Sequence, residues 1–195
     1  MNKPDIKLEI LTLGRFSISA QGKPVATEWP DETLKALFCS LLSPLDLYIS
    51  WDRLCRSMCG VSATRPSRRR LETVFIRPLN AFLVKELGFN PLVTRHEGLG
   101  IDKQSTHLDA YEFQRTAVAG LALLSLDNQV AALEELNRAK SLYKGSYLPG
   151  INGKIIDSTR KDLESLYQTA VMAPCRSHGI RSVQDILDGQ GPDFN

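Results

Sequence analysis

Apolar residues recur at every second position near the start of this chain and at every third or fourth position from Asp31 onward. No single kind of secondary structure serves both periods. Lys7 to Leu13 and Arg15 to Ser19 alternate apolar and polar residues around Gly14, which reads as a bent strand or a pair of short strands. The turn Gln21-Gly22-Lys23-Pro24 follows, with Val25-Ala26-Thr27 as a third short strand. Leu34, Leu37, Phe38, Leu41 and Leu42 then mark the inner face of a helix that Pro30 and Asp31 begin and Pro44 ends. Tyr48-Ile49 is long enough for a brief pairing with the sheet. Ser50 caps a second helix, Trp51 to Cys59, with Leu54, Cys55 and Met58 on one side and Gly60 closing it.

Ser62 to Ser67, with Pro66 inside it, reads as a loop, and a third helix is expected from about Arg68 to Leu87, closed by Gly88. At about 100° per residue, Leu71, Val74, Phe75, Pro78, Leu79 and Phe82 share its inner side. Arg69, Thr73, Arg77 and Asn80 share the outer side, and Pro78 predicts a kink near Val74 to Pro78. Leu92 to Arg95 and Leu99 to Ile101 form a hairpin around His96-Glu97-Gly98. Sheet, three helices and hairpin follow the order of a winged helix-turn-helix.

After Asp102 helix formers dominate, with helices at about Asp109 to Ser125, Asp127 to Lys144 and Asp157 to Met172 in a tetratricopeptide-like packing. The fold class expected is therefore α+β: an N-terminal winged helix-turn-helix with a small antiparallel sheet over 1–102, then an all-α module over 108–173. Only five polar residues, Asp102 to Thr106, lie between, so the two domains are expected to pack together. Residues 174–195 read as a mobile tail with one weak helix at Val183 to Leu187. Leu163, Leu166, Tyr167, Ala170 and Val171 are expected to form an open apolar end that self-associates, giving a homodimer.

The 195 residues carry a net charge of +2, but the charge is unevenly placed. Residues 51 to 95 hold 9 Lys/Arg against 3 Asp/Glu, a surplus of +6, and eight of the nine are arginine. Guanidinium forks suit phosphate oxygens and guanine edges. The cluster Arg65, Arg68, Arg69, Arg70 therefore reads as a phosphate or base contact, with a solvated helix face as the plain alternative. Arg95 and His96 at the hairpin tip are placed either against the minor groove or DNA backbone, or simply in solvent.

Other chemistries lack an anchor. No run approaches the ~20 apolar residues of a membrane span and the first residues lack an apolar signal, so a cytoplasmic protein away from membranes is expected. Cys39, Cys55, Cys59 and Cys175 form no CxxC pair and read as reduced thiols. His107 and His178 have no ligand-spaced partners, and neither a Gly-x-Ser-x-Gly elbow nor a glycine-rich phosphate loop occurs. No enzyme, cofactor or metal site is expected.

Leu8-Glu9-Ile10-Leu11-Thr12-Leu13-Gly14-Arg15-Phe16, Gly22-Lys23-Pro24-Val25, Lys35-Ala36-Leu37 and Ser50-Trp51-Asp52-Arg53-Leu54 resemble the opening of SARP-type transcriptional regulators. Those join an OmpR/PhoB-type winged helix to a bacterial transcriptional activator domain (BTAD). Leu108-Asp109-Ala110-Tyr111-Glu112-Phe113 is similar to the BTAD start, and Leu142-Tyr143-Lys144-Gly145-Ser146-Tyr147-Leu148-Pro149-Gly150 to its "LYxGxxLPG" signature. Arg160, Leu163, Glu164 and Tyr167 resemble the helix that follows. The signature itself reads as a tight turn with Tyr143, Tyr147 and Leu148 packed beneath it. The resemblance implies a regulator that binds double-stranded DNA, with Arg69, Thr73, Arg77 and Asn80 at base edges and Arg65, Arg68 and Arg70 at phosphates. RNA polymerase or another regulator would be the protein partner. Leu79-Asn80 stands where the family usually carries Leu-Arg, with Pro78 in front. The alternative is thus a protein-interaction regulator that keeps the fold without sequence-specific DNA binding.

Overall fold

The computed structural model describes residues 7–25, 28–43, 45 and 48–172. Ala26-Thr27 of the expected third strand, Pro44, and the tail at 174–195 with Cys175, His178 and the Val183 to Leu187 helix lie outside the described residues.

The first sheet is built from β1 (Leu8–Leu11), β2 (Ser17–Ala20), β3 (Lys23–Pro24) and β7 (Thr106–Leu108), in the order β3-β2-β1-β7. Alternation works as expected: Leu8, Ile10 and Ile18 point into the core while Glu9 points out. The third strand comes two residues earlier than expected. Gln21 and Gly22 both take positive φ, 50° and 76°, which makes a two-residue hairpin turn and pairs Ala20 with Lys23 directly.

β7 begins inside the expected connection, at its last residue. Thr106 to Leu108 pairs in parallel with Leu8 to Ile10, so the approach to the helical half is itself a strand of the N-terminal sheet. The step into it is structured too: Asp102 accepts from the Ser105 hydroxyl at 2.6 Å and from the Gln104 amide at 3.1 Å.

α1 (Glu32–Leu41) starts at Asp31, whose carboxylate accepts from the Thr33 amide at 2.7 Å, and buries Leu34, Leu37, Phe38 and Leu41. α2 (Trp51–Cys59) has the expected bounds, with Ser50 capping and Gly60 in the left-handed conformation at φ 74°. β4 (Ile49–Ser50) pairs with the hairpin of β5 (Leu92–Thr94) and β6 (Gly98–Ile101), in the order β4-β6-β5 rather than joining the first sheet.

The second half follows the expected spans closely. α5 (Asp109–Ser125) and α6 (Gln129–Leu142) lie along one another through a short turn, and α7 (Lys154–Tyr167) runs on into a π-helical turn at Gln168–Met172. Gly120 permits the close crossing of α5 and α6, since a Cβ there would meet Leu136 Cδ2 at 2.5 Å. The core is continuous from Leu8 to Val171. Leu163, Ala170 and Val171 are buried in it, and Leu166 and Tyr167 are half-buried against it. They do not form the open end on which self-association was expected, because α7 and its π turn pack back onto α5 and α6.

Two polar constructions join the halves. Asp109, at the start of α5 and 6% exposed, accepts from the Thr12 amide at 2.8 Å, the Thr12 hydroxyl at 2.7 Å and the Leu13 amide at 3.0 Å. Thr12 and Leu13 lie just past β1, so these donors have no strand partner and the carboxylate takes that place. The 143–150 segment is the second. Tyr147 and Leu148 sit in the core, and the Leu148 amide donates to the Thr12 carbonyl at 2.7 Å. Arg160 on α7 fastens the segment by donating to the carbonyls of Tyr147, Leu148 and Ile151 at 2.8, 2.9 and 2.7 Å. Gly14 is required beside it. At φ 80° a Cβ would stand 2.8 Å from the Lys144 carbonyl oxygen.

Burial on α1 pushes the Cys39 thiol up from 9.0 to about 12, with Lys35 opposing and Glu32 adding slightly. The folded chain keeps this proton to higher pH than the unfolded chain does. Its stabilising share is therefore complete below pH 9 and is lost as pH rises from 9 toward 12, at up to about 1.4 kcal/mol per pH unit. Thermal melts across that window are expected to show a shallower decline for Cys39→Ala than for the native chain; identical slopes would refute the assignment.

Candidate nucleic-acid interface

The arginine-rich segment folds as one long helical rod in three parts: α3 (Arg65–Leu71), a π-helical turn at Glu72–Ile76, and α4 (Arg77–Leu87). It begins three residues earlier than expected. The Thr64 and Ser67 side chains each bond the other's backbone amide in a capping box, and Pro66 sits in the first turn, where its missing N–H costs nothing. Asp52 on α2 anchors the preceding turn, accepting from the Ala63 amide at 3.0 Å while paired with Arg56 at 2.8 Å.

The expected kink is a π turn. The Arg77 amide reaches back five residues to the Glu72 carbonyl, and Pro78 supplies no amide that an α-helix would send to Val74. One extra residue is thus fitted into the rod, which shifts every later side chain by about 100°. The inner face consequently consists of Leu71, Ile76, Leu79 and Leu83, all buried, with Phe75 and Phe82 half-buried. Val74 and Pro78, expected inside, are exposed. Ile76, absent from the expected inner row, is buried in it.

Arg65, Arg68, Arg69, Arg70, Thr73 and Arg77 are all exposed, and Arg65, Arg69, Arg70 and Thr73 line a shallow open depression with Pro66. Among the described residues none of these arginines is held in an ion pair, in contrast to Arg115 and Arg138, which share Glu112, and to Arg160 with Asp157. Thr73 donates its hydroxyl proton to the Arg69 carbonyl at 2.7 Å, so outward it offers oxygen lone pairs and a methyl group. Asn80 departs from the outer row. It is half-buried, and its Oδ1 is shielded from solvent with no partner among the described residues. A straight α-helix would set Asn80 within about 20° of Arg69, whereas the π turn swings it about 80° away.

Arg95 and His96 are exposed at the hairpin tip, where the Arg95 amide closes the turn on the Gly98 carbonyl at 2.8 Å. Trp51 places that tip beside the rod, a role the sequence reading missed. Its amide donates to the Glu97 carbonyl at 3.1 Å, its Nε1 donates to the His96 carbonyl at 2.8 Å, and the Arg68 guanidinium lies 4.3 Å from its ring centroid. The available signal was a large aromatic with a polar edge at the first position of a capped helix, just ahead of an arginine cluster.

No family model matches the chain, and no curated protein matches it. Among solved structures, EmbR of Mycobacterium tuberculosis in complex with a low-affinity phosphopeptide superposes with a TM-score of 0.61 at 16% identity, over 84% of this chain. The two chains share a fold. This chain spans 43% of the EmbR chain, less than half its length. Among the described residues no helix is long and apolar enough to cross a membrane, and no group of three or more metal-ligating side chains comes together.

Proposed function

We propose that this protein is a SARP-type transcriptional regulator that binds double-stranded DNA. Residues 1–102 form the winged-helix DNA-binding part, with the α3–α4 rod in the major groove and the β5–β6 hairpin as the wing. Residues 108–173 form a BTAD-like part that meets RNA polymerase, another regulator or a second copy of the chain. The observation that carries this reading is the row of exposed arginines on one rod, none of them in an ion pair among the described residues, beside a hairpin pinned by Trp51. The fold shared with EmbR supports it.

Arg69 and Arg77 are assigned to base edges, with Thr73 between them. Arg65, Arg68 and Arg70 are assigned to phosphates, and Arg95 and His96 to the backbone or minor groove. Duplex binding is then expected to weaken steeply with salt, each phosphate contact adding about 0.9 to the slope of log affinity against log salt. Arg69→Ala with Arg77→Ala should lower affinity roughly ten-fold or more and relax base preference. Fluorescence anisotropy across a salt series reads both quantities. An unchanged affinity and preference in a folded double variant would refute the assignment. Val74 and Val84, 50% and 47% exposed on the same rod, favour the alternative of a protein-contact surface. Under that alternative no salt-dependent duplex binding is observed.

A further inference from the structure

The π turn changes which arginines stand together. In an uninterrupted α-helix, Arg69 and Arg77, eight residues apart, would diverge by about 80° around the axis. With one residue absorbed by the Glu72–Ile76 turn they behave as if seven apart and come within about 20° of one line. The buried side chains verify this phase: Leu71, Ile76, Leu79 and Leu83 form one inner line only if a residue is subtracted between Leu71 and Ile76. Arg69 and Arg77, effectively seven residues apart, are separated along the axis by about 10.5 Å, and stacked base pairs by about 3.4 Å.

We propose that the π turn is a specificity device: it sets Arg69 and Arg77 on one line of the rod, so that the two guanidinium groups read two guanines about three base-pair steps apart in one half-site. This rests on the DNA-binding reading above. Thr73 lies between the two arginines with its hydroxyl tied back to Arg69 and its methyl free for a thymine. Pro78 is a positioning residue. It withholds the amide that would close the α-helical bond to Val74, and it touches no base.

The test is selection from a randomised duplex pool with the full chain and four variants. The native chain should return two guanines at that spacing. Arg69→Ala and Arg77→Ala should each abolish preference for one guanine, by roughly ten- to hundred-fold, and leave the other. Moving the second guanidinium one helical turn along the line, with Arg77→Ala and Ala81→Arg, should shift the second guanine outward by about one to two steps at unchanged salt slope. Deleting the exposed Val74 together with Pro78→Ala removes the extra residue, straightens the rod and keeps both lines, so the native pair of guanines should persist. A preference lacking that spacing, or a second guanine that does not move with Ala81→Arg, overturns the proposal while leaving DNA binding intact. Absence of salt-dependent duplex binding by the native chain overturns both. The Ala81→Arg arm alters only exposed positions, so it decides the matter even if the deletion does not fold.

Discussion

Asp109→Ala should destabilise the chain by about 4 kcal/mol, because it strands three buried donors at once and each costs about 1–3 kcal/mol unpaired. Those donors are the Thr12 amide, the Thr12 hydroxyl and the Leu13 amide, all within 3.0 Å of the carboxylate. Domains of this kind are stable by only about 5–15 kcal/mol, so the variant should stand near the edge of folding. Asp109→Asn keeps one acceptor oxygen but turns an amide group toward donors, and should recover only part of the loss. Urea titration read by circular dichroism measures both. A loss below about 1 kcal/mol for Asp109→Ala would show that water or another side chain replaces the carboxylate.

Gly98→Ala should be nearly as damaging, and its damage should reach the arginine face. An added Cβ would collide with the Ile49 carbonyl and stand 2.8 Å from Tyr48 Cδ2. The overlap is with backbone, which has no rotamer by which to yield, and a cost of about 3 kcal/mol is expected. The strand it forces away, β6, pairs with β4, and β4 leads directly into Trp51. Loss of that pairing frees the hairpin tip and the ring under Arg68, so a rise in Trp51 solvent exposure, seen by fluorescence quenching, should accompany the drop in stability. Native quenching in Gly98→Ala would separate the hairpin from the Trp51 anchor. Gly98→Ser, which carries the same Cβ, is expected to behave alike.

Sequence reading succeeded where a local chemical signal ends an element. α2 was legible to the residue because Ser50 caps it and Gly60 closes it, and α5 because Asp109 and the Leu126–Asn128 turn bracket a long apolar pattern. It failed where the deciding partner is remote. Thr106-His107-Leu108 has no strand signal of its own; its pairing is set by β1, almost a hundred residues earlier. Asp109 reads as an ordinary first-turn acid until Thr12 is brought to it. The arginine face was legible from composition, since solvent-facing guanidinium groups need no tertiary partner. The inner face of the same rod was not, because a wheel of 3.6 residues assumes an unbroken α-helix. The clue was present: Leu71 and Ile76 stand five apart, Leu79 and Leu83 follow at three and four, and Pro78 lies among them.

The parallel pairing of β7 with β1 bears on the order in which the chain acquires its structure. During synthesis, β1 emerges first and can find β2 at once, but its other edge stays open until Thr106 to Leu108 has left the ribosome. The N-terminal part therefore cannot close its sheet from its own residues, and closure awaits the opening of the helical part. A contact this distant in sequence is a late, slow step, and until then the bare edge is available to other strands. Once made, it ties the two halves into a single cooperative transition, so that loosening the helical half should be felt at the arginine face without any ligand passing between them.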